Sequence, residues 1–89
     1  PGDSDLVFNL GNLYLNQRRY VEAQQRFSEA IRLNPDFPEA HFHLGLTYAQ
    51  QGNGRKASEE MKRYLKLMPD APNRKAVEDY IKNLEKPAG

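Results

Sequence analysis

The sequence predicts an all-α fold, a right-handed α-solenoid in which two helix-turn-helix repeats are stacked and closed by a fifth helix. Three observations carry this. The segments NPDFPEA (34–40) and MPDAPNR (68–74) share Pro-Asp-X-Pro, so Pro35 and Pro69 stand 34 residues apart. At the same shift Phe8 falls on Phe42, Leu10 on Leu44, Gly11 on Gly45, Tyr14 on Tyr48, Gln17 on Gln51, Ala23 on Ala57 and Leu33 on Leu67. Apolar residues recur at three- and four-residue steps, the period of a helix. An internal repeat of this length marks a unit that buries its apolar face only against its neighbours.

The register divides the chain into an N-terminal extension (1–3), a first repeat (4–37), a second repeat (38–71), a capping helix (72–86) and a tail (87–89). In the first repeat Val7, Leu10, Gly11 and Tyr14 form one helical face, with Asp3 or Ser4 as the expected N-cap. A second helix carries Val21, Ala23, Phe27, Ala30, Ile31 and Leu33. The turn between them is expected near Asn16-Gln17-Arg18-Arg19, which lacks apolar periodicity. In the second repeat Gly52-Asn53-Gly54 marks the same turn with residues that tolerate left-handed backbone. Pro35 and Pro69 each end a helix, and Pro38 and Pro72 suit the first position of the next. Glycine inside a helix costs about 1 kcal/mol against alanine. Gly11 and Gly45 are therefore expected at close approaches, with Ala23 and Ala57 opposite and Phe27 or Met61 filling the space beside them.

Residues 72–86 carry Ala76, Val77, Tyr80, Ile81 and Leu84 on one stripe, but Glu78 and Asp79 stand where a third repeat would have Leu-Gly. This helix should cover the second repeat and turn a charged face to water, as a solenoid end requires. The other end has no such cover. Leu6 and Leu13 sit beside the interior face of the first helix, where the second repeat has Ala40 and Thr47. They are expected to be exposed, or to pack on an upstream repeat or on a second copy of the chain.

The spacing Leu-Gly-x-x-Tyr, Ala-x-x-x-Phe, Pro over 34 residues resembles the tetratricopeptide repeat. The first unit matches through Leu10, Gly11, Tyr14, Ala23, Phe27, Ala30 and Pro35, and the second through Leu44, Gly45, Tyr48, Ala57 and Pro69. Val7 and His41 stand where the family often has Trp, Met61 replaces Phe, and Tyr64 replaces Ala. The resemblance implies a non-catalytic protein–protein interaction module whose first helices line a concave groove. By register the lining is Asp5, Phe8, Asn9, Asn12, Leu15 and Asn16, then Glu39, Phe42, His43, Leu46, Ala49 and Gln50, extended by Asn73, Val77 and Tyr80. Such a groove would hold an extended peptide or a partner helix. Asparagine amides can pair with a peptide backbone, and Phe8 and Phe42 either offer apolar pockets or pack on each other. The subtype that grips acidic chaperone tails uses Lys and Arg beside Asn. Here Asn12 matches one amide, but Phe8 stands at an expected Lys, His43 at an expected Asn, and Asn73 and Val77 at the basic pair. With Asp5 and Glu39 on the rim, a peptide with apolar and basic residues fits better.

Other chemistries find little support. Asp5 and Glu39 sit at helix starts, where acids favour the dipole. His41 and His43 lie two apart on a helix, about 200° around it, and cannot share a metal as an i, i+4 pair can. His41 falls on the interior aromatic position and His43 on the ligand-facing side. No nucleophile–base set, phosphate-binding glycine loop or cofactor motif is present, so neither an enzyme nor a cofactor or small-molecule substrate is expected. The 89 residues, 13 basic and 12 acidic for a net charge of +1, do not mark a nucleic-acid or membrane-surface protein. One stretch, Arg55, Lys56, Lys62, Arg63, Lys66, Arg74 and Lys75 against Glu59, Glu60 and Asp70, is mildly basic. Its i, i+4 pairs Arg55–Glu59, Lys56–Glu60 and Glu59–Arg63 read as a solvated face, and weak nucleic-acid binding is the lesser alternative. No apolar run is long enough to span a membrane. The absence of cysteine is compatible with a cytoplasmic or periplasmic setting and separates neither. The start at Pro1-Gly2 is expected of a trimmed piece of a longer protein.

Overall fold

The computed structural model describes residues 3–87. They form α1 (Asp3–Asn16), α2 (Tyr20–Leu33), α3 (Pro38–Gln50), α4 (Gly54–Leu67) and α5 (Arg74–Leu84), with no strand among the described residues. The extension expected over 1–3 and the tail expected over 87–89 lie outside the described residues, apart from Asp3, which opens α1, and Pro87. Neighbouring helices pack in sequence, α1 on α2, α2 on α3, α3 on α4 and α4 on α5. The stack measures 40 × 29 × 18 Å, so it is about two helices thick.

Local chemistry sets the boundaries. Pro38 opens α3, where a missing N–H is harmless. Asn53 caps α4, its Oδ1 accepting the backbone N–H of Lys56 at 3.2 Å. The two intra-repeat turns share one left-handed position, filled by Arg18 (φ 61°) in the first repeat and Gly52 (φ 79°) in the second. Some expectations shift. α1 already contains Asp3 and Ser4, and Ser4 is buried. Pro72 lies in a turn, and α5 starts two residues later at Arg74. Gly54 is needed for space, because a methyl group there would lie 2.8 Å from the Leu84 carbonyl oxygen. Val21 and Leu33 are exposed and lie outside the buried stripe of α2.

The core forms two clusters. Ala23, Phe27 and Leu44 join α2 to α3, with Phe8, Tyr14, Leu15, Ile31 and Tyr48 packed around them. Met61, Leu65, Val77 and Ile81 join α4 to α5, with Phe42, Leu46, Tyr64, Tyr80 and Leu84 around them. The inner glycines meet side chains more than the opposing alanines. A methyl group on Gly11 would lie 2.7 Å from Cδ1 and Cε1 of Phe27; on Gly45 it would lie 3.0 Å from Met61 Cε and 3.2 Å from the Ala57 carbonyl. The outward face of α5 carries the ion pairs Arg74–Glu78 and Lys75–Asp79. Its C-terminal end is tied down by Glu85, which accepts from Ser58 Oγ and Lys62 Nζ at 2.6 Å each.

Candidate functional site

The candidate groove is built by the faces of α1 and α3 that carry Phe8 and Phe42, together with α5. Asp5, Asn9, Asn16, Glu39 and Gln50 are exposed, whereas Phe8, Asn12, Leu15, Phe42, His43, Leu46 and Ala49 are half-buried. The half-buried apolar members are shared with the core: Phe8 and Leu15 with the first cluster, Phe42 and Leu46 with the second.

His43 organises the centre. Its ring meets Phe8 edge-on at 5.2 Å and Phe42 edge-on at 5.6 Å, so it stands between two phenyl rings that were alternatively expected to pack directly on each other. Its Nδ1–H donates to the Glu39 carbonyl at 2.8 Å. Phe8 also stacks on Phe37 (4.9 Å) and Phe27 (5.6 Å), so most of its ring packs within the fold and offers little free pocket. Phe42 stacks on Tyr64 at 5.0 Å. The rings Phe37, Phe8, His43, Phe42 and Tyr64 therefore form one continuous ladder, within the spacing at which aromatic pairs attract. Tyr64, at a position where the family resemblance implies Ala, braces the next helix: its hydroxyl donates to Asn73 Oδ1 at 2.9 Å.

The ladder ends at a hollow of about 340 Å³ lined by Phe42 and Leu46 of α3, Asn73 just before α5, and Ala76, Val77 and Tyr80 of α5. Asn73, Val77 and Tyr80 belong to the lining anticipated by register. Ala76 does not, although its signal is present, since it stands 34 residues after Phe42 and 68 after Phe8.

His41 is the buried core histidine that its interior position predicts. Nε2 lies 3.0 Å from the Pro35 carbonyl and Nδ1 2.8 Å from Glu60 Oε1. A carbonyl only accepts, so Nε2 carries a proton, and the inter-repeat loop is tethered through the ring to α4. Sequence reasoning missed this partner, because spacing assigns Glu60 to Lys56. Instead Glu60 turns inward and binds Arg63 at 3.2 Å, the Lys56 ammonium sits over the Tyr48 ring, and the expected Glu59–Arg63 pair gives way to Glu60–Arg63. Burial, with the Glu60 and Glu59 carboxylates adding to it, pushes the Tyr48 hydroxyl pKa up. The expected Arg55–Glu59 pair forms at 3.5 Å.

At the far edge Leu6 is 70 % and Leu13 52 % exposed, as the register expects, and Leu10 joins them at 37 %. Its counterpart Leu44 is buried because α2 covers α3.

Comparison with known proteins places the residues in context. A model of the TPR repeat matches residues 11–52 and a model of the tetratricopeptide repeat matches residues 38–71. The chain is 34 % identical over 79 residues to the UPF0162 protein of Xylella fastidiosa (strain Temecula1), covering 89 % of this chain and 28 % of that protein. It is 36 % identical over 70 residues to human Protein O-mannosyl-transferase TMTC3, covering 79 % of this chain and 8 % of that one. It is 33 % identical over 58 residues to the Tetratricopeptide repeat and J domain-containing co-chaperone DNJ1 of Cryptococcus neoformans, covering 65 % of this chain and 11 % of that one. The chain thus spans less than a third of the length of each relative.

Proposed function

Because the chain belongs to the tetratricopeptide-repeat family, whose repeats mediate protein–protein interaction, we propose that it is a non-catalytic module holding an extended segment or helix of a partner protein in its concave face. The observation that carries this reading is the apolar hollow lined by Phe42, Leu46, Ala76, Val77 and Tyr80, with the Asn73 amide at its edge. Apolar pockets flanked by a few polar groups suit anchored peptides. Both histidines are engaged by the fold, His41 by Glu60 and Pro35, and His43 by Phe8, Phe42 and the Glu39 carbonyl, which speaks against a catalytic base. Five of the seven cations in the basic stretch, Arg55, Lys62, Arg63, Arg74 and Lys75, are in ion pairs, which weighs against nucleic-acid binding.

The test is selection of a displayed random-peptide library on the chain, followed by calorimetry of the enriched peptides. An Asn12→Ala, Leu46→Ser variant with unchanged circular dichroism should bind about tenfold more weakly or worse. Equal affinity for parent and variant, or no enrichment at all, would remove the reading.

A second reading is self-association through the first helix, favoured by a shallow apolar depression of about 490 Å³ lined by Leu6, Val7, Asn9, Leu10 and Leu13. Sedimentation equilibrium decides it: a dimer abolished by Leu6→Lys, Leu13→Lys supports it, and a monomer at millimolar concentration ends it.

A further inference from the structure

The 34-residue register, continued into α5, explains why the hollow exists. Asp5, Glu39 and Asn73 are equivalent positions, as are Phe8, Phe42 and Ala76, then Asn9, His43 and Val77, then Asn12, Leu46 and Tyr80. Between α1 and α3, the space beside Phe8 is occupied by the His43 ring at 5.2 Å, with Phe42 next to it. Between α3 and α5, the corresponding side chains are a methyl group and an isopropyl group. Ala76 is exposed, and Val77 is turned into the core against Met61 and Leu65. The ladder is interrupted after Phe42 and Tyr64, because Ala76 supplies no ring, and the hollow of about 340 Å³ opens there, lined also by Tyr80. This is the low end of the range for small-molecule pockets and suits a single large side chain.

The polar surroundings narrow the occupant further. None of the ion pairs among the described residues uses Asp5 or Glu39, whereas Arg74 and Lys75, at the start of α5, are paired with Glu78 and Asp79. Asp5 and Glu39, exposed in the first turns of α1 and α3, thus carry negative charge that no ion pair among the described residues compensates. The Asn73 amide oxygen is engaged by the Tyr64 hydroxyl at 2.9 Å, which leaves its NH₂ as a donor at the edge of the hollow.

We propose that the hollow takes one aromatic side chain of an extended partner segment, which continues the ring ladder beyond Phe42 and carries a Lys or Arg nearby facing Asp5 and Glu39. The Asn73 NH₂ donates to a backbone carbonyl of that segment. This rests on the groove reading above and adds the chemistry of its ligand.

The experiment is an NMR titration of the 89-residue chain with blocked heptapeptides of sequence GSKSWSG, GSESWSG and GSKSLSG. The Lys/Trp peptide should shift the Ala76 and Val77 methyl signals saturably. The Leu peptide should bind several-fold more weakly. The Glu/Trp peptide should also be weaker, and its deficit should close as salt is raised. Ala76→Phe, which fills the hollow from an exposed position, should weaken the Lys/Trp peptide about tenfold with the rest of the spectrum unchanged; Ala76→Leu serves the same purpose if the phenyl disturbs α5. Equal binding by the filled variants overturns the proposal. Shifts confined to Phe8, Asn12 and Gln50 overturn it while sparing the groove reading. Absence of saturable shifts with these peptides, when library-selected peptides do bind the groove, overturns it too; if neither set binds, both readings fall.

Discussion

In the first repeat the bare face of Gly11 is covered by a phenyl ring, Phe27; in the second, the equivalent Gly45 is covered by the thioether of Met61. The backbone plan is the same, but the neighbours differ in stiffness. A ring has no slack at 2.7 Å, whereas the flexible methionine terminus at 3.0 Å can give by a small shift, although Met61 is fully buried. The turns differ in the same sense. Arg18 is held at a left-handed backbone position that the second repeat gives to Gly52. Two units of one fold thus differ in what they tolerate: the first seats its glycine against a stiff ring and holds a non-glycine residue at the left-handed turn, and the second seats it against a thioether and the Ala57 carbonyl and gives the turn to glycine.

The largest effect is expected at the glycine seats. Gly11→Ala should overpack Phe27, and after the helix-propensity gain the net loss should be about 1–2 kcal/mol. Gly45→Ala should lose less, because the flexible Met61 terminus can give and alanine favours the helix, even though the Ala57 carbonyl at 3.2 Å is fixed backbone. Urea unfolding of both variants checks this, and equal losses would erase the contrast. A smaller effect is expected at the turns: Arg18→Gly should raise stability by up to about 1 kcal/mol, and Gly52→Ala should lower it by about as much. Thermal unfolding shifts of opposite sign are the readout.

The smallest effect concerns the C-terminal tie. The hydrogen bond from Lys62 first, and that from Ser58 second, hold the Glu85 carboxyl below the usual glutamate range. A lowered folded pKa means the contribution is present above the ordinary range and lost as pH falls through the folded value. Glu85→Gln should therefore be less stable than the parent at neutral pH, and the gap should narrow as pH falls below the ordinary glutamate range. A gap independent of pH would show that the tie acts through shape alone. Glu85 is well exposed, so the effect is small.

These contrasts also separate what was legible in the chain from what was not. The doubled Pro-Asp-X-Pro, the paired Leu-Gly and Tyr, and the apolar stripes place all five helices, because a repeat writes its interfaces twice at one spacing. The exposure of Leu6 and Leu13 is legible for the same reason, since their counterparts Ala40 and Thr47 show what a covered face requires. Side-chain choices between equal alternatives are not legible. Spacing along α4 makes Lys56 and Arg63 equally good partners for nearby acids, and only the buried His41 across the interface draws Glu60 inward.

By itself, the sequence determined the repeat, its period and the closing helix, because these follow from periodicity and backbone chemistry local to each segment. Only the tertiary structure decided that His43 separates Phe8 from Phe42, that Tyr64 holds Asn73, and that the ring ladder stops at Ala76 beside a hollow. Those outcomes depend on which side chains from different helices compete for the same space, and that competition is settled only when the helices pack.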